Sequence, residues 1–393
     1  MAGPLTIAWF SQFPVEWLPD APDFVKELPR EHPSTWQRVL LDELEVFPGL
    51  RLHVLVLRKQ IPRNFQFERN GVTFHLIKTP GRLRAPSLFW VDTWLIRRKL
   101  RTIRPDAVHA WGTERGGALI ARRLRWPAVV TIQGLMGWYG EVVPLHLHDR
   151  LASWLERYSL PRADVVTTES SFSVAWLRRR YPGLHVEQVE HAPAALFHQI
   201  GRQPQTEPLR FLFVGVFDYR KGADLLIAAL DRLRTEMAFE LVMVSRPAGA
   251  LVEKLRRQTS SDLWKRIHFK PDLSPAQVAE ELTRATMVIF PTRADTSPNS
   301  VKEAVVAGVP VVGSVVGGIP DYVFPGQNGL LFRPGDLAEL TESIRAACRH
   351  PLFRHGRVEE EALQKTRAYL SPKTMGKRFL EIYNAARKQG SVK

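Results

Sequence analysis

The chain has 393 residues, of which 45% are hydrophobic and 24% are charged. This length is enough for two domains with separate cores, and the composition is ordinary for a soluble globular protein. No stretch reaches the roughly 18 uninterrupted apolar residues of a membrane-spanning helix. The first ten residues lack the basic region and the long apolar region of a signal peptide. The sequence therefore predicts a cytoplasmic protein without membrane-spanning helices.

The cysteine content excludes some kinds of site, and the net charge indicates the kind of ligand. Cys348 is the only cysteine, which excludes an internal disulfide and a cysteine-based metal site. The net charge is +15, and the excess of Lys and Arg is spread over both halves of the chain. Such a surface attracts phosphorylated molecules, anionic lipid or nucleic acid. Because no zinc-finger spacing or RNA-recognition signature accompanies the charge, we expect phosphorylated small molecules rather than nucleic acid.

Short runs of β-branched residues and leucine alternate with amphipathic helical patterns along nearly the whole chain. This alternation predicts an α/β fold with mainly parallel sheets. The first series of predicted strands is Leu5–Phe10, Leu52–Leu57, Val72–Ile77, Ala107–His109, Ala128–Ile132 and Val165–Thr168. The second series is Leu209–Val214, Leu241–Val244, Ile267–Phe269, Met287–Phe290, Val311–Gly313 and Gly329–Phe332. We expect two Rossmann-like doubly wound domains facing a cleft, with ligands beyond the carboxyl ends of the strands.

A polar segment separates the two series of strands. Residues 201–208 contain two prolines and show no hydrophobic periodicity, so they are predicted to be the interdomain linker. The N-terminal domain is then expected over residues 1–200 and the C-terminal domain over residues 209–371.

Two carboxylates, Asp295 and Glu303, lie eight residues apart around the predicted start of a helix. Ser297 is expected to cap this helix, and Pro298 to take its first position. An almost wholly apolar run follows Glu303, where a carboxylate is costly unless hydrogen-bond donors meet it. The diol of a ribose is one such pair of donors. In the alternative interpretation, Asp295 is a turn residue and Glu303 is a solvated helix position.

The same helix start offers backbone donors. The N–H groups of Asn299, Ser300 and Val301 are expected in its first turn, where amides lack intrahelical partners and the helix dipole favours anions. These three residues are therefore predicted to contact a phosphate group.

A basic pair follows another predicted strand. The strand Leu209–Val214 ends at Gly215, and Arg220 and Lys221 lie in the segment that follows. Two adjacent cations at a strand exit can hold a diphosphate and neutralise the charge on a departing nucleotide. The alternative is a solvated basic turn.

From Leu209 to about Asp336, the order and spacing of these motifs resemble the nucleotide-sugar domain of the GT-B glycosyltransferases of family 4. Members of that family pair two acidic residues with seven between them, and follow them with an E-A…A-G-x-P-V-V run and a G-G-x-x-[ED] motif. Residues 303–312 and 317–321 match the two later motifs here. The N-terminal half resembles the family less closely, through residues 105–109 and 163–167.

The resemblance implies roles for individual residues. Glu303 would bind the ribose of the donor, and the amides near Ser300 and Val301 its pyrophosphate. Asp295 would lie beside the transferred sugar, at a place where the family usually has Glu. Lys221 matches the phosphate-binding lysine of the family.

One basic position departs from the pattern. The family has an arginine directly after the glycine that ends the strand, whereas this chain has Val216. We hypothesise that Arg220 takes part of the role of that arginine.

The N-terminal half carries the expected acceptor side. A long insert, residues 11–32, stands where the family often has glycines in the loop after its first strand. Where many members have a histidine, this chain has a glutamine, a residue that does not act as a base. The predicted acceptor-side residues are Trp36, His109, Glu114, Gln133 and Gly134. For His109 the alternative is a hydrogen-bonded histidine in the core.

The resemblance implies a retaining hexosyltransferase of polysaccharide biosynthesis. It would move a sugar from a nucleotide-sugar donor, such as a UDP- or GDP-sugar, to a glycan or lipid-linked acceptor. No cofactor is implied, and the sequence shows no Asp-x-Asp metal motif, as expected of a metal-independent enzyme. One alternative is an α-glucan or sugar-phosphate synthase with a soluble acceptor. The other is a non-catalytic protein of the same fold that binds nucleotide or glycan. In relatives the final helix, here within residues 372–393, crosses back onto the N-terminal domain.

Residues 88–101 combine aromatic side chains with a basic end. A helix of this kind can rest on an anionic bilayer, so peripheral contact with the cytoplasmic face of the membrane is a further expectation. The alternative is an ordinary helix that packs on the sheet and keeps its basic end in water.

Overall fold

The structure is a computed structural model that describes residues 3–30, 34–144, 146–247 and 249–390. It confirms the α/β fold, with two compact units and mainly parallel sheets. The strands are β1 (Leu5–Ser11), β2 (Leu50–Arg58), β3 (Phe65–Arg69), β4 (Val72–Lys78), β5 (Ala107–Trp111), β6 (Ala128–Thr131), β7 (Val165–Thr168), β8 (Val186–Gln188), β9 (Leu209–Val214), β10 (Phe239–Val244), β11 (Ile267–Phe269), β12 (Met287–Phe290), β13 (Val311–Ser314) and β14 (Gly329–Phe332).

Helices connect nearly all of these strands. They are α1 (Asp23–Lys26), α2 (Thr35–Leu44), α3 (Trp90–Ile103), α4 (Gly117–Arg123), α5 (Met136–Val142), α6 (Leu147–Ser159), α7 (Ser171–Arg180), α8 (Ala195–His198), α9 (Ala223–Leu233), α10 (Gly249–Gln258), α11 (Ser261–Trp264), α12 (Pro275–Arg284), α13 (Asn299–Val306), α14 (Ile319–Tyr322), α15 (Leu337–Arg349), α16 (Glu360–Tyr369) and α17 (Pro372–Gly390). Among the described residues, no helix is both long and apolar enough to span a bilayer.

The first unit is built on a sheet of eight described strands in the order β3-β4-β2-β1-β5-β6-β7-β8. All neighbours pair in parallel except β3 and β4, which are antiparallel. The sequence analysis missed β3 and β8. The burial of β3 alternates, with Phe65, Phe67 and Arg69 half-buried and the residues between them exposed, as is usual for an edge strand.

The second unit is built on a parallel sheet of six described strands in the order β11-β10-β9-β12-β13-β14. Its strands are rich in β-branched and aromatic residues. The side chains of the central strands are buried, because helices cover both faces of the sheet. One side of the sheet packs around Phe211, Phe213 and Leu226. The other packs around Phe290, Val305 and Tyr322.

The chain passes between the units earlier than the predicted linker. The first unit contains the residues up to Glu169, residues 173–190 and the residues from Pro372 onward. The second unit contains residues 170–172 and 191–371, so the main boundary lies at residue 190 or 191. Residues 201–208 belong to the second unit, because the Arg202 guanidinium donates to carbonyl groups of α12 and to the Gly356 carbonyl. Helix α17 packs on α2, β5 and β6 of the first unit. The predicted C-terminal span, 372–393, ends beyond the described residues.

The insert that follows β1 is a packed part of the first unit. In its described portion, residues 11–30, the side chains of Phe13, Val15 and Val25 are fully buried. A buried ion pair between Arg58 and Glu16, at 2.5 Å, ties this segment to the end of β2. These contacts pack the segment against the edge of the sheet at which β1 and β2 end.

Candidate functional site

In the second unit, β9 and β12 are neighbours in the sheet, although β10 and β11 lie between them in the sequence. The two strands are parallel, so the loops that follow them leave the same edge. Such a reversal of strand order is where open α/β sheets bind ligands. The loop after β9 carries Gly215, Arg220 and Lys221, and the loop after β12 carries Asp295. The fold therefore brings these predicted donor-side residues to one edge.

Lys221 and Asp295 form an ion pair at this edge, and both side chains are mostly buried. The Lys221 amide donates to Asp218 Oδ1 at 2.6 Å. Asp295 Oδ1 accepts from the Ser297 amide at 3.2 Å. The Lys221 ammonium also lies 5.0 Å from the centroid of the Phe290 ring. These contacts restrict both charged groups and place a cation directly at the strand exit.

Arg220 joins the two loops. Its guanidinium donates to the Ala294 carbonyl at 3.0 Å, and its carbonyl accepts from the Arg293 amide at 2.7 Å. Gly215 lies immediately beyond β9. Val216, which occupies the place of the family's arginine, is 61% exposed.

Helix α13 begins one residue later than predicted. Pro298 is its N-cap and not its first helical residue, and no side chain caps the helix. The predicted Ser297 cap is wrong, because Ser297 Oγ lies 3.4 Å from Tyr322 Oη in the interior of the unit.

Two of the three predicted amide donors are available at the start of α13. The amides of Asn299 and Ser300 make no hydrogen bond within the part of the chain that the structure describes. The Val301 amide donates to the Pro298 carbonyl at 3.1 Å, so it is engaged in the first turn. Two unengaged amides at a helix N-terminus suit an anionic oxygen.

Glu303 is half-buried, and its carboxyl makes no hydrogen bond or ion pair with any described residue. Burial raises the pKa of this carboxyl to about 8, and the charge of the neighbouring Lys302 lowers it only in part. A carboxylate removed from water without donors is disfavoured in its charged form. The position therefore suits a ligand that brings hydroxyl donors.

The glycine pair that the sequence singled out supports the loop of Asp295. Gly317 has a φ of +55°, and a Cβ at this position would lie 2.0 Å from the Asp295 carbonyl oxygen. The Gly318 amide donates to the Thr296 carbonyl at 2.7 Å. A side chain at position 317 would push the two loops apart, so glycine is required for this close approach.

The first unit has the same kind of reversal in strand order. Its β1 lies between β2 and β5, so the sheet grows in one direction from β1 to β2 and in the opposite direction from β1 to β5. A cavity of about 310 Å³ opens at this edge. Three predicted acceptor-side residues line it, namely Trp36, Glu114 and Gln133. Its other lining residues are Gln12, Ser34, Gln37, Trp111 and Arg115. Gln12 follows β1 directly, so the rule used for the other strand exits could have found it.

Glu114 is held between two glycines at the cavity. A Cβ at Gly112 would lie 2.7 Å from Glu114 Oε2, and one at Gly134 would lie 3.4 Å from Glu114 Oε1. Burial raises the pKa of the Glu114 carboxyl, and hydrogen bonds from the backbone amides of Thr113 and Glu114 oppose the shift. Gly134 is thus a buried neighbour of Glu114, and its lack of a side chain leaves space for the Glu114 carboxyl group.

His109 is a core residue, so its predicted place on the cavity is wrong. Its side chain is fully buried. Nδ1 lies 2.7 Å from Tyr383 Oη and Nε2 lies 2.6 Å from Thr131 Oγ1. Trp9 Nε1 donates to the same Tyr383 oxygen at 2.9 Å. The alternative interpretation, a hydrogen-bonded core histidine, describes this residue.

A basic hollow adjoins the cavity and shares Gln12 and Arg115 with it. Its volume is about 210 Å³. Arg58, Lys59 and Arg84 line it as well. The sequence analysis missed this hollow, because its residues come from four separate segments of the chain.

Comparison with protein families covers most of the chain. Residues 208–350 match the family model described as "Glycosyl transferases group 1". Residues 46–195 match the model described as "Glycosyl transferase 4-like domain". The first of these matches lies wholly within the second unit. The other lies in the first unit, except for residues 170–172 and 191–195.

Curated relatives are similar over most of their length. A glycogen synthase of Mycobacterium tuberculosis is 26% identical over 375 residues, which cover 92% of this chain and 84% of the relative. A D-inositol 3-phosphate glycosyltransferase of Catenulispora acidiphila is 26% identical over 297 residues, which cover 70% of this chain and 67% of the relative.

Solved structures share the fold at low identity. Sucrose-phosphate synthase from Thermosynechococcus elongatus aligns with a TM-score of 0.78 and 18% identity, over 97% of this chain and 98% of that one. HepE of Anabaena, solved in complex with UDP-glucose, aligns with a TM-score of 0.68 and 14% identity, over 97% of this chain and 100% of that one. The strand order, the motifs and the two family matches together show that the chain belongs to the group 1 glycosyltransferases, with the GT-B fold.

Proposed function

We propose that this glycosyltransferase moves a hexosyl residue from a nucleotide sugar to a hydroxyl group of a glycan, with retention of anomeric configuration. The observation that carries the proposal is the half-buried Glu303 carboxyl, which has no partner among the described residues and a pKa raised to about 8. A ribose diol would supply the two donors that this carboxyl lacks. The binding of UDP-glucose by HepE, which shares the fold, supports a nucleotide-sugar donor.

In this proposal the donor extends along the edge where β9 and β12 end. Glu303 would hold the ribose, and the amides of Asn299 and Ser300 would hold the diphosphate. Lys221 and Arg220 would stabilise the charge on the leaving group, and Asp295 would contact the transferred sugar. The ion pair between Lys221 and Asp295 joins the loops after β9 and β12, so each loop helps to position the charged group of the other.

The chemistry needs no protein nucleophile. As the bond between the anomeric carbon and the β-phosphate oxygen breaks, positive charge develops on the sugar and negative charge on the diphosphate. The acceptor oxygen then bonds to the anomeric carbon, and its proton passes to a phosphate oxygen on the same face. Because Lys221, Arg220 and two amides can stabilise the diphosphate, metal independence and the lack of a cofactor are part of the proposal.

The test is the release of nucleoside diphosphate from a panel of UDP-, GDP- and ADP-sugars, with and without a glucan acceptor. We expect one donor to be turned over, and Glu303→Gln to raise its KM at least tenfold. Glu253→Gln changes an exposed carboxyl on α10 and serves as the control. Donor binding without turnover across the panel would instead indicate a non-catalytic nucleotide-binding protein.

A second candidate acceptor is a phosphorylated sugar. The basic hollow that adjoins the cavity of the first unit favours it, because Lys59 and Arg115 line a space of about 210 Å³. Arg58 and Arg84 also line it, but they are ion-paired with Glu16 and Asp92. The names of the inositol-phosphate and sucrose-phosphate relatives agree with such an acceptor. Once the donor is known, the rates with a glucan and with hexose phosphates separate the two candidates. A Lys59→Gln variant should slow transfer only to the phosphorylated acceptor.

Peripheral contact with an anionic membrane through α3 also belongs to the proposal. Trp90 and Trp94 on this helix are exposed. The Arg98 guanidinium lies 5.7 Å from the centroid of the Trp94 ring. Aromatic and basic side chains side by side are typical of helices that lie at a membrane interface.

A further inference from the structure

Helix α6 carries apolar side chains on two faces. Ala152, Leu155 and Leu160 at its end are buried in the first unit. Four other large side chains recur at a spacing of four, three and four residues and are exposed, which places them along one face of a helix. We call this exposed set the α6 ridge; its members are Leu147, Leu151, Trp154 and Tyr158. Leu147 is 84% exposed and Trp154 is 54% exposed, so the described part of the chain leaves the ridge uncovered.

Stacked cations join the ridge to the aromatic side chains of α3. The Arg122 guanidinium lies 3.8 Å from the centroid of the Tyr158 ring and donates to the Tyr158 carbonyl at 3.2 Å. The next residue, Arg123, lies 4.2 Å from the centroid of the Trp90 ring on α3. Two consecutive arginines at the end of α4 therefore make the exposed aromatics of α3 and α6 one continuous surface.

A hollow rich in arginine lies beside the ridge. Its volume is about 420 Å³. Arg150, Arg157 and Arg180 line it, and none of their three guanidinium groups makes a hydrogen bond or ion pair within the described residues. Trp154 of the ridge forms part of its wall, and Glu141 is the acidic residue in the lining. We call this space the arginine hollow.

The charge of this surface selects its occupant. Unpaired arginines around a concave space attract phosphate groups, and an exposed ridge of Leu, Trp and Tyr favours the boundary between headgroups and acyl chains. A two-fold dimer through this surface would bring the arginine hollows of two molecules together, which like-charge repulsion opposes. An anionic phospholipid bilayer satisfies the cations and the apolar side chains at once.

We propose that the α6 ridge and the arginine hollow form a membrane-binding surface that takes the phosphate headgroups of anionic lipids while the ridge enters the interface. The proposal extends the contact proposed for α3, and for the existence of membrane contact it rests on that part of the proposed function. It does not depend on the identity of the donor or acceptor. The surface would hold the enzyme at the bilayer where a lipid-linked or membrane-associated acceptor is present.

The experiment is flotation of the intact protein with vesicles of phosphatidylcholine alone and with vesicles that also contain phosphatidylglycerol. We expect binding only to the anionic vesicles. Replacement of Arg150, Arg157 and Arg180 by Gln should weaken that binding roughly 100-fold, because each basic residue near an anionic surface contributes substantially. A control that replaces Lys254, Arg256 and Arg257 of α10 removes the same charge from exposed positions of the second unit and should leave binding nearly unchanged.

The ridge is tested separately from the charge. Leu151→Ser with Trp154→Ser should reduce binding to anionic vesicles at least tenfold, while Val46→Ser, at an exposed apolar position of the same unit, should not. Brominated lipids should quench tryptophan fluorescence less in Trp154→Phe than in the original protein.

Three results would overturn the proposal: no binding to anionic vesicles, equal losses in the α10 control, or self-association in solution that the ridge variants abolish. Turnover of a soluble donor should be the same in all these variants, because none touches the donor site. Vesicle binding without donor turnover would therefore refute the proposed sugar transfer alone. Turnover without vesicle binding would refute the membrane contact of both α3 and the α6 ridge, and would leave the proposed sugar transfer intact.

Discussion

The Lys221 ammonium group is ion-paired with the Asp295 carboxylate across 74 residues of sequence. Because β9 and β12 are adjacent, the loops after them bring these two charges to the same sheet edge. The pairing holds the lysine side chain at the strand exit without any ligand. A donor diphosphate would then meet a cation that is already in position, which lowers the cost of reorganisation during transfer.

The first prediction concerns this pair. Lys221→Met should lower kcat about 100- to 1000-fold, the effect typical of removing one group that stabilises developing charge. The measurement is the release of nucleoside diphosphate at saturating donor. Arg246→Met breaks an exposed ion pair with Asp272 and is the control. A kcat for Lys221→Met close to that of the control would contradict the role of Lys221.

The second prediction concerns the length of the Asp295 side chain. Asp295→Glu restores the residue type that is usual in the family and moves the carboxylate outward by one methylene. We expect a change of at least fivefold in the ratio of kcat/KM between two donor sugars. An unaltered ratio would show that the shorter side chain does not select the donor.

The third prediction is the pH dependence that follows from Glu303. Its pKa is about 8 in the folded protein, against an ordinary value of 4.5, so the folded state binds more protons than the unfolded state between these values. The free energy of unfolding should therefore fall as the pH rises from about 4.5 to about 8. Glu303→Gln removes this dependence and should become more stable than the original protein at pH 8 to 9.

Chemical denaturation between pH 4 and pH 9 provides the measurement for Glu303, with Glu253→Gln on the exposed face of α10 as control. A stability difference between the original protein and Glu303→Gln that stays constant with pH would contradict the raised pKa. Donor binding near pH 7 should also release protons, because hydroxyl donors stabilise the charged carboxylate. Calorimetry in buffers with different ionisation enthalpies measures that release.

The fourth prediction concerns Val216, which stands where the family has an arginine. This residue is 61% exposed at the exit of β9, so an arginine can be placed there without disturbing the core. Val216→Arg should raise kcat about tenfold by adding a third cation, beside Lys221 and Arg220, for the leaving group. The gain should persist in Arg220→Ala if the two arginines act on the same diphosphate. A kcat that is unchanged or lower in Val216→Arg would show that this chain does not use the family position.

The fifth prediction separates the core histidine from the cavity. Tyr383→Phe removes an oxygen that contacts both His109 and Trp9. We expect it to lower the free energy of unfolding by about 1–3 kcal/mol, because buried polar groups lose a partner. The KM for the acceptor should change less than twofold. Glu114→Gln should do the opposite, raising the acceptor KM with little effect on stability.

Much of the site follows from local pattern. Lys221 and Asp295 each follow a short, mostly apolar predicted strand, and residues beyond such strands lie at the ligand-binding edge of a parallel sheet. Glu303 is predictable because a carboxyl that leads into an apolar run within a helix requires a partner. His109 shows the limit of this reasoning. It too lies at the end of a predicted strand, but β5 extends two residues further and its imidazole turns inward to Tyr383 of α17.

Contacts distant in sequence account for the remaining differences. The cap predicted for Ser297 failed because Tyr322 lies next to its hydroxyl group. The arginine hollow escaped notice because its cations come from α6 and α7, and nothing in a single segment reveals that they face one space. The exposed apolar face of α6 was missed because the apolar residues of its buried face recur with the same helical periodicity. The sequence pattern alone does not show which of the two faces packs on the sheet.

The sequence by itself determined the alternation of strands and helices, the family motifs and most of the donor-side residues, because these depend on spacing along the chain. Only the tertiary structure decided the order of the strands. That order sets β9 beside β12 and β1 beside β5, and so decides which strand exits become neighbours. Strand pairing joins backbone groups far apart in sequence, and its free energy depends on the burial of whole sheet faces, which no local pattern contains.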